Sequence, residues 1–195
     1  MTFDRYAVRA LIVLLLLIGA RTRSDAQLVG VSATVGGGGG SVHWACTEIG
    51  CDEIFPQGWG AVPFVQATVN FRHLVGVSGE YVSWNKDEEH VVSYSLALSV
   101  EVPAGPVRVR LRGGMDHTTL DYPPAQILSR GQTNSTWDGT GPMAGVSVDV
   151  PVGRHIAVTP TVSYRHPTLE APDILPTAQF VGTLWLIGVG FTVHN

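Results

Sequence analysis

Lysine is almost missing from this chain: Lys86 is the single one in 195 residues. Charged residues of all kinds make up 14%, against roughly 25% in soluble domains. A surface that faces water needs many charges of both signs, so part of this surface is expected to face something else. The net charge of −4 lacks the basic footprint of a nucleic-acid-binding protein, and no nucleic-acid partner is expected. Long apolar runs are also absent after the N-terminal region, where none reaches the roughly 18 residues of a membrane-spanning helix. If the mature chain is integral to a membrane, it must therefore cross as a closed β-barrel. Cysteine occurs twice, at Cys46 and Cys51. A local disulfide is the expected state in an exported chain. A thiolate metal site would need more ligands than nearby His43 supplies, and neither metal nor cofactor is expected.

The N-terminus reads as a secretory signal. Arg5 and Arg9 form the positive segment, Ala10 to Ala20 is apolar, and Ser24-Asp25-Ala26 offers small residues for cleavage before Gln27. The apolar run falls short of the ~20 residues that span a bilayer, which disfavours an uncleaved anchor. The expected organisation is a signal peptide over 1–26 and one β-domain over 27–195.

What is abundant is two-residue alternation. Eight segments carry it: 28–36, 61–71, 75–84, 91–102, 107–114 with a continuation toward 122, 143–152, 156–165 and 178–193. In the fourth, Val92, Tyr94, Leu96, Leu98, Val100 and Val102 oppose Ser93, Ser95, Ala97, Ser99 and Glu101. In the fifth, Val107, Val109 and Leu111 oppose Arg108, Arg110 and Arg112. Short connections (72–74, 103–106, 153–155) alternate with longer ones. The five glycines Gly36 to Gly40 read as a flexible exit from the first strand into a loop. Pro160, inside the seventh segment, lacks a ladder donor, so a bulge or a shortened strand is expected there.

Alternation alone leaves open which face is buried. A soluble barrel or sandwich places the valines inside, whereas a transmembrane barrel reverses them. The polar faces consist of Gly, Ser, Thr and a few long charged residues, which suits the narrow interior of an eight-stranded barrel. Aromatic residues fall near strand ends, where interfacial girdles are expected: Tyr81, Trp84, Tyr94, Tyr164 and Phe180 at one rim, Phe71 and Phe191 at the other. The pattern is that of an all-β, eight-stranded antiparallel up-and-down transmembrane barrel.

In this pattern the chain resembles the small outer-membrane β-barrel families typified by the OmpA transmembrane domain and OmpX. Near the C-terminus, Gly188-x-x-Phe191-x-Val193 is similar to the signal that the barrel-assembly machinery reads on a last strand, although here His194 and Asn195 follow it. The resemblance implies location in a bacterial outer membrane, with its lipid and that machinery as partners; an external partner is unspecified.

The candidate site is an interior charge network of Glu80, Glu101, Arg108, Arg110, Arg112, Asp149 and Arg165, joined by Gln66 and Asn70. Buried charges must be paired, so the first expectation is a plug of ion pairs; a narrow pore gated by those pairs is the functional alternative. A second alternative is enzymatic. Some barrels of this kind are lipid A deacylases with a His-x-Ser pair, and here His166-Pro167-Thr168 with Glu170 offers a related set of groups. The acidic run Asp87-Glu88-Glu89-His90 reads as a solvated hairpin tip. The leading expectation is a non-enzymatic outer-membrane protein with a structural role or contacts through its external loops; a secreted soluble β-protein remains the third reading.

Overall fold

In the computed structural model, short turns bring consecutive strands together as antiparallel hairpins. The structure describes residues 29–46, 57–72, 74–86, 89–121, 136–170 and 179–195. The leader expected over 1–26 lies outside these residues, as does Cys51, so the pairing expected with Cys46 lies outside them too. The strands are β1 (Val29–Cys46), β2 (Gly58–Phe71), β3 (Val75–Lys86), β4 (Glu89–Ala104), β5 (Val107–Asp121), β6 (Thr136–Pro151), β7 (Ile156–Arg165), β8 (Thr168–Glu170) and β9 (Gln179–His194). From β1 to β7 each strand pairs antiparallel with the next, and β7 pairs with β9. The short β8 continues β7 beyond His166-Pro167 and bridges β6 and β9, so β7 and β8 together form one stave. Pairing of β1 with β9 closes an eight-stranded barrel, and closure removes the exposed strand edges of an open sheet.

Local chemistry sets the registers. Between β4 and β5, a two-residue turn pairs Ala104 with Val107. Its first residue, Gly105, has a φ of 64°. With Pro106 next, this is the geometry of a type II′ turn, whose twist suits a hairpin. Because side chains alternate strictly, this one turn sends Glu101, Arg110 and Arg112 to the same face.

Three features depart from the sequence expectation. First, the glycine run is not a loop exit. Gly36 to Gly40 lie in the middle of the 18-residue β1, paired with β2 on one side and β9 on the other. The closing ladder sets Gly36 opposite Gly190 and Gly38 opposite Gly188. A Cβ at Gly36 would lie 2.5 Å from the Val189 carbonyl oxygen and 2.6 Å from Phe64 Cζ. At this seam glycine serves close approach of the backbones and of the buried Phe64 ring. Second, Pro160 makes no bulge. Ser147↔Thr161 and Val150↔Val158 keep the same register on either side, and the ladder merely skips the pairs between them. Third, two strands run further than the alternation suggested: β1 reaches Cys46, and β6 starts at Thr136, while β5 takes its continuation as far as Asp121.

The faces are inverted relative to a soluble protein. Buried side chains include Gln66, Glu80, Glu101, Arg110, Arg112, Asp116, Asp149 and Arg165, while Leu96, Leu98, Val100, Leu111, Ile187, Val189 and Phe191 are exposed. Water would penalise both choices, and lipid outside the barrel accounts for both. The secreted soluble barrel is therefore set aside. The outer aromatic ring consists of Tyr81, Tyr94, Tyr164, Trp59 and Trp185. Tyr81 packs on Tyr94 with ring centroids 5.2 Å apart, and Tyr164 on Trp185 at 4.7 Å. Trp84 and Phe180, expected in that ring, point inward instead. Trp84 shares the parity of Glu80 and Val82, so the alternation already assigned it to the lumen.

Candidate functional site in the barrel lumen

The lumen has two tiers. The tier toward the short turns is ionic. Arg110 on β5 donates through Nε (2.9 Å) and Nη2 (2.7 Å) to Glu101 Oε1 on β4, and through Nη2 to Asp149 Oδ2 on β6 at 3.0 Å. Asn70 Nδ2 on β2 also donates to Glu101 Oε1, at 2.7 Å, and Thr159 Oγ1 on β7 to Asp149 Oδ1, at 2.8 Å. One layer up, Glu80 on β3 takes two cations. Arg112 Nη1 contacts Glu80 Oε2, and Arg165 Nη2 lies 3.0 Å from Glu80 Oε1. Arg165 Nε lies 3.2 Å from Asp116 Oδ1, while Arg112 Nη2 donates to Thr161 Oγ1 at 3.0 Å. Gly145 makes room for this guanidinium, since a Cβ there would sit 2.9 Å from Arg112 Nη2.

Six of the seven expected network residues meet in this tier: Glu80, Glu101, Arg110, Arg112, Asp149 and Arg165. Arg108 does not. It has the inward parity of Arg110, but it stands two residues nearer the turn, beyond the end of the lumen, and is exposed. Gln66 is buried and donates to Thr68 Oγ1 at 3.1 Å. Asp116 is the member that sequence reasoning missed. It accepts from Ser93 Oγ and from Thr118 Oγ1. Its signal was its parity with Arg110 and Arg112, obscured because Gly113 and Gly114 interrupt the alternation.

The second tier, toward the long connections, is apolar. Trp44, Phe64, Trp84, Val91, Leu120, Trp137, Leu169 and Phe180 are all buried there, one from each of β1 to β6, β8 and β9. Trp84 Nε1 donates to the Gly40 carbonyl oxygen at 3.0 Å, so its polar edge is satisfied. An eight-stranded barrel is just wide enough for side chains to fill, and here apolar side chains from every stave fill it. The polar lumen expected from the alternation therefore extends over only part of the barrel. Outside this tier, beyond the aromatic ring, the surface turns polar, with His43, Asp121, Thr136, Asp138 and Gln179 exposed. The barrel thus changes from membrane-like to water-like along its own strands. β4, β6 and β9 have 16 residues each, against the about 9–11 that a membrane strand needs.

The remaining candidates are less assembled. His166 lies at the break between β7 and β8, and its Nδ1 is 3.2 Å from the Tyr164 hydroxyl. Among the described residues no hydrogen bond joins Thr168 to His166, and the Glu170 side chain lies outside them. Of the acidic tip, Asp87 and Glu88 lie outside the described residues, and His90 Nδ1 lies 2.7 Å from Asn85 Oδ1. On β9, Gly188 faces inward under Phe64, whereas Phe191 and Val193 face outward.

No protein-family model matches the sequence, and no curated protein matches it. Solved structures do. Neisserial surface protein A is similar at TM-score 0.54 and 12% identity, covering 85% of this chain and 96% of that one. The outer membrane protein OprG from Pseudomonas aeruginosa follows at TM-score 0.53 and 15% identity, covering 84% and 95%. Ail, the attachment invasion locus protein of Yersinia pestis, solved with the heparin analogue sucrose octasulfate, is similar at TM-score 0.51 and 12% identity, covering 84% and 98%. With its closed stave order, its lipid-suited outer face and its charged lumen, this chain has the fold of the small eight-stranded barrels of bacterial outer membranes.

Proposed function

We propose that this protein is a non-conducting, non-enzymatic barrel of a bacterial outer membrane, and that it works through the end from which its long connections leave. The observation that carries this reading is the plug. Each stave places a large apolar side chain in one tier, above a tier of paired charges, so opening a path would require breaking both. The strands also continue past the aromatic ring with a water-suited exterior, which raises the loop bases above the bilayer as a presentation surface. The outward Phe191 and Val193 suit the role expected for them in recognition by the insertion machinery.

The charge of the presented end narrows the partner. Outside the lumen, every aspartate and glutamate after Gln27 falls in or beside the connections of this end, from Glu48 to Asp173, the two-residue one between β3 and β4 included; the basic residues there are Lys86 and Arg130. Such a surface repels polyanions and favours a basic partner. A sulfated glycan such as the one bound by Ail is thus disfavoured as a ligand.

Conductance tests the reading. The full chain reconstituted in planar bilayers is expected to give no stepwise current, and vesicles carrying it should swell in sugar solutions no faster than empty ones. Solute flux at porin-like rates would show that the plug is not a barrier and would overturn the proposal.

A further inference from the structure

The opposite end of the barrel has its own charge pattern. Each of the three hairpins that turn at this end carries one exposed arginine at the rim: Arg72 between β2 and β3, Arg108 at the start of β5, and Arg154 between β6 and β7. His155 is exposed beside Arg154. Among the described residues, no aspartate or glutamate side chain is exposed at this end, because Glu101 and Asp149 are sealed in the lumen. Nor does any of the three guanidinium groups form an ion pair among the described residues.

Their immediate neighbours are apolar and exposed. Arg72 lies between Phe71 and Leu74 along the chain, Arg154 between Val152 and Ile156, and Arg108 stands opposite the exposed Pro103 across the hairpin. Those side chains mark the lower edge of the lipid-facing belt. An arginine at that edge can lay its stem along acyl chains and keep its head at the level of the phosphates.

We propose that Arg72, Arg108 and Arg154 form a ring that binds the phosphates of anionic phospholipid headgroups in the leaflet around the short turns. This rests on the membrane-barrel reading above. Guanidinium groups match phosphate geometry through two parallel hydrogen bonds, and spacing around the rim lets each engage a different lipid. With the carboxylates gathered at the other end, the ring also holds the barrel with its short turns against the anionic leaflet.

Equilibrium unfolding in vesicles tests this. The full chain is folded into vesicles of phosphatidylcholine alone and of phosphatidylcholine mixed with phosphatidylglycerol, and the folding constant is read from tryptophan fluorescence. Phosphatidylglycerol is expected to raise that constant about fivefold per arginine, on the order of a hundredfold for the ring. High salt should erase most of the gain. The R72Q/R108Q/R154Q variant should lose it while unfolding normally in phosphatidylcholine, and R72K/R108K/R154K should keep most of it. Equal constants in the two vesicles, or a gain retained by the glutamine variant, would overturn the ring. So would equal stabilisation in phosphatidylcholine by soluble polyglutamate, which would assign the ring to acidic macromolecules instead. Failure to insert into either vesicle would remove the membrane reading itself, whereas insertion without a lipid effect removes only this proposal.

Discussion

Replacing Glu80 with leucine is expected to lower the stability of the folded barrel by about 3–5 kcal/mol, the usual cost of leaving buried charges without a partner. Glu80 is buried and joins two cations, Arg112 and Arg165. Without it, Asp116 is the remaining carboxylate in that layer, and it lies beside Arg165. Arg112 would keep its hydrogen bond to Thr161 but no counter-ion. The second variant makes the reasoning specific. Adding Arg112→Met to Glu80→Leu removes the stranded cation and leaves Arg165 balanced by Asp116, so the double variant should recover at least half of the loss. Urea titration of vesicle-folded protein reads both. A single variant within about 1 kcal/mol of wild type, or a double variant less stable than the single, would show that the layer does not act as a charge-balanced unit.

Valine at Gly38 should do comparable damage by a different route. Gly38 pairs with Gly188 on the closing ladder, and a Cβ there would run into the carbonyl of Ile187 and the Cα of Gly188. Backbone cannot rotate aside as a side chain can, so β1 and β9 must separate. We expect a loss of about 3 kcal/mol or more, at or beyond the upper end of overpacking costs. The folded, fast-migrating species in unboiled gel samples should disappear. Gly113→Val is the control. Gly113 lies on the outer face of β5, and nothing lies within 4 Å of an added Cβ. There valine should change stability by only about 0.5 kcal/mol, with strand propensity in its favour. If the two valine variants migrated alike, the close seam would not be what β1 needs its glycines for.

The two expectations differ in how far the sequence revealed them. Glu80, Arg112 and Arg165 were legible as lumen residues because strand geometry puts every second side chain on one face, and their polar faces stood opposite runs of valine and leucine. The pairing among them was not legible, since it depends on the register of β3, β5 and β7 around a closed barrel. Asp116 escaped because Gly113 and Gly114 interrupt the alternation, and only pairing with β4 and β6 carries β5 through them. The glycine run in β1 was misread for a related reason. Glycine has no side chain to alternate, so nothing local distinguishes a strand from a loop there. Its partners Gly188 and Gly190 lie some 150 residues away.

Composition and period two were enough to assign strands, the lipid-facing side chains and the charged interior, because those follow from the backbone repeat and from what lipid and water each tolerate. Tertiary structure decided the rest. Barrel closure brought eight distant large side chains into one plug and turned Trp84 and Phe180 away from the expected girdle. It set Glu80 between two arginines. It also left Arg108 outside the lumen despite its inward parity, because parity states which way a side chain points but not where along the barrel the interior ends.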